Sequence, residues 1–109
     1  MNRFRAEDYT YRVFWSDEDE AWIAVADEFR SLSYIDEKSP CAALEGMVGL
    51  LRETLNDIYT DGKEPPMPFS KRKYSGSFAL RMTPEQHRRI AIEAAEMGIS
   101  MNQLLVSRI

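Results

Sequence analysis

The sequence is poor in the residues that most chemistry needs. It has one cysteine, Cys41, and one histidine, His87, in 109 residues. A single cysteine excludes an intramolecular disulfide and a Cys-based zinc site. A single histidine argues against a His-ligated metal centre or a His-based triad. No apolar run approaches the ~20 residues that span a bilayer. The opening stretch, Met1-Asn2-Arg3-Phe4-Arg5-Ala6-Glu7-Asp8, lacks the apolar core of a secretory signal. Together these absences lead to the expectation of a reducing, cytoplasmic setting. Glycine and proline number only five each, so a collagen-like or low-complexity chain is excluded. What remains is near the globular average, 44% hydrophobic and 29% charged. That suits one ordinary domain or two very small ones.

Charge is unevenly placed. Residues 1–68 carry 7 Lys/Arg against 15 Asp/Glu, a net of −8, and residues 69–109 carry 7 against 3, a net of +4. An acidic half joined to a basic half suggests two partners, a basic protein for the first and phosphates for the second.

The acidic half alternates. Tyr9, Tyr11, Val13 and Trp15 share one face at period two, which predicts a strand over 9–15. Asp17-Glu18-Asp19-Glu20 reads as a solvated hairpin tip, lacking the glycine and spaced glutamate of a calcium loop. Residues 22–26 and 32–35 give two further strands. Ser39 as N-cap and Pro40 at the first position open a helix. Leu44, Met47, Val48, Leu51, Leu55 and Ile58 form its apolar stripe, and Gly62 closes it. Gly46 and Gly49, each costing ~1 kcal/mol inside a helix, point to close approach of helix and sheet. Trp15, Trp22 and Tyr34 are read as core, and Cys41 as a buried structural thiol. None of the three strands contains Asp or Glu, which argues against a two-metal nuclease. No feature calls for a cofactor or a metal.

Lys63-Glu64-Pro65-Pro66-Met67-Pro68 cannot be helical. It sets a boundary: a first domain over 1–64, a Pro-rich then basic linker over 65–75, and a second domain over 76–109. In the second, Phe78, Leu80 and Met82 alternate with Ser77, Ala79 and Arg81, a half-buried strand. Thr83-Pro84-Glu85-Gln86 is a capping box with proline at the first helical position. Ile90, Ala91, Ala94 and Met97 form that helix's stripe and Gly98 ends it. Ser100 caps a second helix with Gln103 at its third position, and Met101, Leu104 and Leu105 are its apolar residues. His87 is read as a surface or dimer-contact residue.

A lone strand has no ladder partner inside such a module, and fewer than ~40 residues seldom fold alone. A two-fold dimer solves both: identical strands pair antiparallel, with Phe78, Leu80 and Met82 in the shared core. Ser77, Ala79 and Arg81 then face outward on a ribbon that fits the DNA major groove. Arg81 is the candidate base contact, because arginine donates two bonds to guanine. Ser77 and Ala79 are small and reach little. Lys71, Arg72 and Lys73 are candidates for flanking phosphates, as are Ser100 and Asn102 at the start of the last helix.

The strand, Thr-Pro-Glu helix, Gly98-Ile99-Ser100 break and second helix resemble a ribbon-helix-helix DNA-binding domain. Tyr74-Ser75-Gly76-Ser77-Phe78-Ala79-Leu80-Arg81-Met82, Ala91-Ile92-Glu93-Ala94-Ala95 and Gly98-Ile99-Ser100-Met101-Asn102-Gln103-Leu104 are similar to HicB-type antitoxins. The acidic half is similar to that family's partial RNase-H-like domain, with Phe29-Arg30-Ser31-Leu32-Ser33-Tyr34 resembling one of its branches. The resemblance implies an α+β fold: a small antiparallel three-stranded sheet with one long helix, followed by a β-α-α dimerisation module. It implies a non-enzymatic antitoxin, partnered by double-stranded operator DNA and a HicA-like RNA-cleaving toxin, that represses its own operon as a homodimer or higher oligomer. The alternative is a solitary ribbon-helix-helix regulator whose first domain serves oligomerisation or ligand sensing.

Overall fold

The alternating half folds into three strands, β1 (Tyr11–Ser16), β2 (Ala21–Ala26) and β3 (Ser33–Asp36). They form one antiparallel sheet in the order β1-β2-β3. Registers Tyr11↔Ala26, Val13↔Ala24 and Trp15↔Trp22 place these residues on one face, joined by Tyr34 through Ala24↔Tyr34. That face meets α1 (Pro40–Thr60), a 21-residue helix. The computed structural model describes residues 3–109; Met1 and Asn2, where the first expected domain begins, lie outside the described residues. The chain divides into two units, the first ending at Lys73 and the second spanning Tyr74–Ile109.

The boundaries of α1 follow from its caps. Ser39 accepts a hydrogen bond from Ala42 N at 3.0 Å, and Pro40 occupies the first turn. At the far end Gly62 takes φ +73°, a left-handed conformation that suits glycine. Ala43, Met47, Leu51 and Leu55 are the buried stripe, while Leu44 lies at its exposed margin. The helix rests on small residues, Ala24 and Ala26 of the central strand. Gly46 is where helix and sheet come closest: an added Cβ would lie 2.0 Å from the Tyr34 ring. Gly49 faces open space, so only the first of the two expected close approaches exists.

Two core expectations are corrected. Trp15 is exposed because its strand, β1, is the one the helix covers least, and Tyr34, although its ring lies against Gly46 of α1, is exposed as well; Trp22 is half-buried at the margin of the core. Trp15 packs edge-on against Trp22, centroids 5.3 Å apart, and Trp22 in turn packs against the core. Cys41 is exposed in the first turn of α1, off the buried stripe.

The stretch after α1 is not loose. Pro65 and Pro68 are buried, and Tyr9 donates its hydroxyl hydrogen to Pro66 O at 2.8 Å. Glu28 accepts from Thr10 N, Thr10 Oγ1 and Phe69 N, and Ser70 donates to Asp8 O. One carboxylate thereby ties the start of β1 to a short 3-10 turn, Phe69–Lys71. Of the residues read as linker, 65–72 are therefore fastened to the first unit.

In the second unit α2 (Pro84–Met97) and α3 (Met101–Ser107) have reciprocal capping boxes, Thr83 with Gln86 and Ser100 with Gln103. Gly98 ends α2 at φ +70°. Ala94 and Leu104 are buried between the helices, and Arg108 pairs with Glu93. Residues 77–82, expected as a strand, carry no ladder among the described residues. A ladder needs a second strand, and this unit contains none of its own.

Candidate nucleic-acid interface

A capped helix, a left-handed glycine and a second capped helix fix the geometry of the second unit. Its apolar face is left open. Leu80, Met82, Ile90 and Leu105 line a groove along the helix pair. Phe78 is 79% exposed, Leu80 56% and Ile109 99%. His87 borders the same groove and is exposed. So much uncovered apolar surface on 36 residues is more than a self-sufficient unit shows.

The candidate contact residues fall into two groups. Ser77, Ala79 and Arg81 are exposed on the segment leading into α2, with Ser77 N donating to Ser75 Oγ at 3.1 Å. Leu80, Arg81 and Met82 all border the groove, and of residues 77–82 only Met82 is half-buried, so the expected in-and-out alternation is not formed in the single chain. Ser100 and Asn102 are exposed at the start of α3, where the Ser100 hydroxyl already accepts from Gln103 N.

The basic trio closes the first unit. Lys71 Nζ lies 3.9 Å from an Asp8 carboxylate oxygen. Arg72 donates to Met67 O at 2.9 Å and stacks on the Phe69 ring, 4.4 Å from its centroid. Both belong to the first unit, and Lys73 is its last residue. These engagements were not legible in the sequence: the pairing of Lys71 with Asp8 joins residues about sixty positions apart.

Among the described residues, no group of three or more His, Cys, Asp or Glu is placed to hold a metal ion. No helix among them is long and apolar enough to cross a membrane.

The class these features define is an α+β chain of two units, a helix-backed antiparallel sheet and a capped helix pair with an open apolar face. A family model described as the HicB family matches residues 58–109, from the last turn of α1 to the final residue. This is just under half of the chain, and over that stretch the chain is similar to HicB-type proteins. No curated protein and no solved structure matches the chain.

Proposed function

We propose that this chain is the antitoxin of a type II toxin–antitoxin pair. Its second unit dimerises as a ribbon-helix-helix module and binds operator DNA. Its acidic first unit neutralises a HicA-like RNA-cleaving toxin. The observation that carries this reading is the open apolar face of the second unit, on a stretch that also matches the HicB family.

The second copy supplies what the unit lacks. Phe78, Leu80 and Met82 of two chains pair across a two-fold axis, and the two segments complete each other's ladder. Arg81 of each chain then reads one half of a palindrome, with Ser77 and Ala79 beside it. Lys71, Arg72 and Lys73 approach the flanking phosphates. Complementary charge between the acidic unit and a basic toxin speeds their encounter.

The test is sedimentation of the full chain and of Leu80→Asp at micromolar concentration. Wild type sediments as a dimer or larger. The variant places an unpaired carboxylate in the shared core and sediments as a monomer with a less helical second unit. A well-folded dimer of Leu80→Asp refutes the module.

A further inference from the structure

The sheet of the first unit has a second face, turned away from α1, and its composition is unusual. An antiparallel sheet covered on one side carries polar residues on the other. Here the register Phe14↔Ile23↔Ile35 lays three apolar side chains in one row across all three strands, with Val25 in the next row. Phe14 is 42% exposed and Ile35 53%, while Ile23 and Val25 are half-buried. Arg12, the charged residue of that face, is neutralised by Asp27 at 2.7 Å.

Carboxylates gather at one end of this row, whereas Arg12 and Arg30 lie at the other, beside Val25. The β1–β2 turn is Asp17-Glu18-Asp19-Glu20, and the pairing Trp22↔Asp36 brings Asp36 and Glu37 to the same end of the sheet. Six carboxylates thus border one end of an apolar strip. Residues 1–73 carry 10 Lys/Arg against 15 Asp/Glu, a net of −5. A second copy of this unit would bring an equal negative excess against the strip. A basic protein surface with apolar anchors complements both its charge and its polarity.

We infer that the open sheet face centred on Phe14, Ile23 and Ile35 is the surface on which the first unit docks its basic protein partner, steered there by the carboxylates of the β1–β2 turn. This assignment rests on the antitoxin reading and locates its protein contact. The apolar row supplies slow dissociation and the acidic end fast association.

The probe is the product of the adjoining gene, required to be small and basic, co-expressed with the full chain and purified as the complex. Affinity and association rate are then measured for wild type, Phe14→Ser/Ile35→Ser, Glu18→Lys/Glu20→Lys, and Glu53→Lys on the solvent side of α1. Circular dichroism checks that each variant is folded. The expected results are a Kd raised about 30-fold or more by the apolar pair and association slowed about tenfold at low salt by the charge reversal. Glu53→Lys should stay within about twofold of wild type. The charge variant lies outside the ladder, so it remains informative if the apolar pair misfolds. Full binding by folded Phe14→Ser/Ile35→Ser overturns the assignment and leaves the antitoxin reading standing. So does a change in the oligomeric state of the free chain with partner binding intact, which would give the face to a second copy. An adjoining gene with no basic product, or a product that wild type does not hold, removes the antitoxin reading and this assignment together.

Discussion

At the scale of single residues, the contact between Gly46 and Tyr34 tests how the helix is seated on the sheet. A methyl at Gly46 would overlap the Tyr34 ring, so Gly46→Ala displaces that ring or lifts α1. The same change gains ~1 kcal/mol of helix propensity. In a Tyr34→Ala background the overlap is gone, and Gly46→Ala should become stabilising by about that amount. Urea unfolding of the four-member mutant cycle reads the coupling; additivity would show that the close approach costs nothing to lose. Gly49 faces open space, and Gly49→Ala should stabilise by ~1 kcal/mol in either background. The glycines' spacing in the sequence suggested two close approaches, but one lies over a ring and the other over none. Titration of Tyr11 makes a second residue-scale test. Burial, then the Glu7 charge, pushes its phenol up to about 12 from an ordinary 10.0, and its hydroxyl donates to Ala6 O at 2.7 Å. Tyr9 is raised too, first by burial and then by Tyr59 and Glu28. A group whose pKa is higher in the folded state stabilises fully below its unfolded value and loses that contribution as pH rises. The first unit should therefore hold its stability up to about pH 10 and lose it progressively as pH approaches about 12. Tyr11→Phe should lower stability at neutral pH by ~1 kcal/mol and flatten the alkaline decline, followed by denaturant midpoints across pH.

At the scale of elements, the helices were legible because their signals are local. Ser39-Pro40, Thr83-Pro84 with Gln86, and Ser100 with Gln103 cap them within four residues, and Gly62 and Gly98 end α1 and α2 by their left-handed φ. The β1–β2 hairpin was legible for the same reason, since alternation and the acidic turn lie in one short window. The fastening of residues 65–72 was not. It depends on Tyr9 reaching Pro66, Asp8 reaching Ser70 and Glu28 reaching Phe69, and no local pattern announces a contact across forty to sixty residues. The apolar outer face was missed differently: Phe14, Ile23 and Ile35 look like ordinary strand residues until the register aligns them. Glu28 is the hinge of the fastening, as the acceptor shared by Thr10 and Phe69. Glu28→Ala should leave the sheet folded and free the segment that carries Lys71 and Arg72. Limited trypsin digestion is the readout. Cleavage after these two residues should rise severalfold over wild type, with cleavage after Lys63 as the internal reference. An unchanged digestion pattern would show that Pro65 and Pro68 hold the segment without the carboxylate.

For the whole molecule, the proposed division of labour turns on which cations are available to DNA. Arg81 lies exposed ahead of α2, and each proposed dimer presents two copies. Lys71 is beside Asp8, and Arg72 bonds Met67 O over the Phe69 ring. Both therefore have competing partners inside the first unit, of which Lys73 is the last residue. Base contacts discriminate between sequences, and phosphate contacts mainly position the protein. Arg81→Ala should accordingly cost ~1–3 kcal/mol per half-site on operator DNA and little on a scrambled duplex. Neutralising Lys71, Arg72 and Lys73 together should weaken both duplexes alike and flatten the salt dependence, by about 0.9 in log–log slope for each phosphate that the protein no longer neutralises. Because the first two are already engaged, Lys73→Gln alone should reproduce most of that flattening, and Lys71→Gln little of it. The side chains flanking Arg81 in the alternation, Ser77 and Ala79, are short, so discrimination by one dimer should be modest and grow when several dimers bind side by side. A salt titration of wild type, Arg81→Ala, Lys71→Gln and Lys73→Gln on operator and scrambled duplexes separates these contributions. Equal weakening on both duplexes for Arg81→Ala would make Arg81 one more phosphate anchor, and the sequence preference would then have to come from the shape of the DNA.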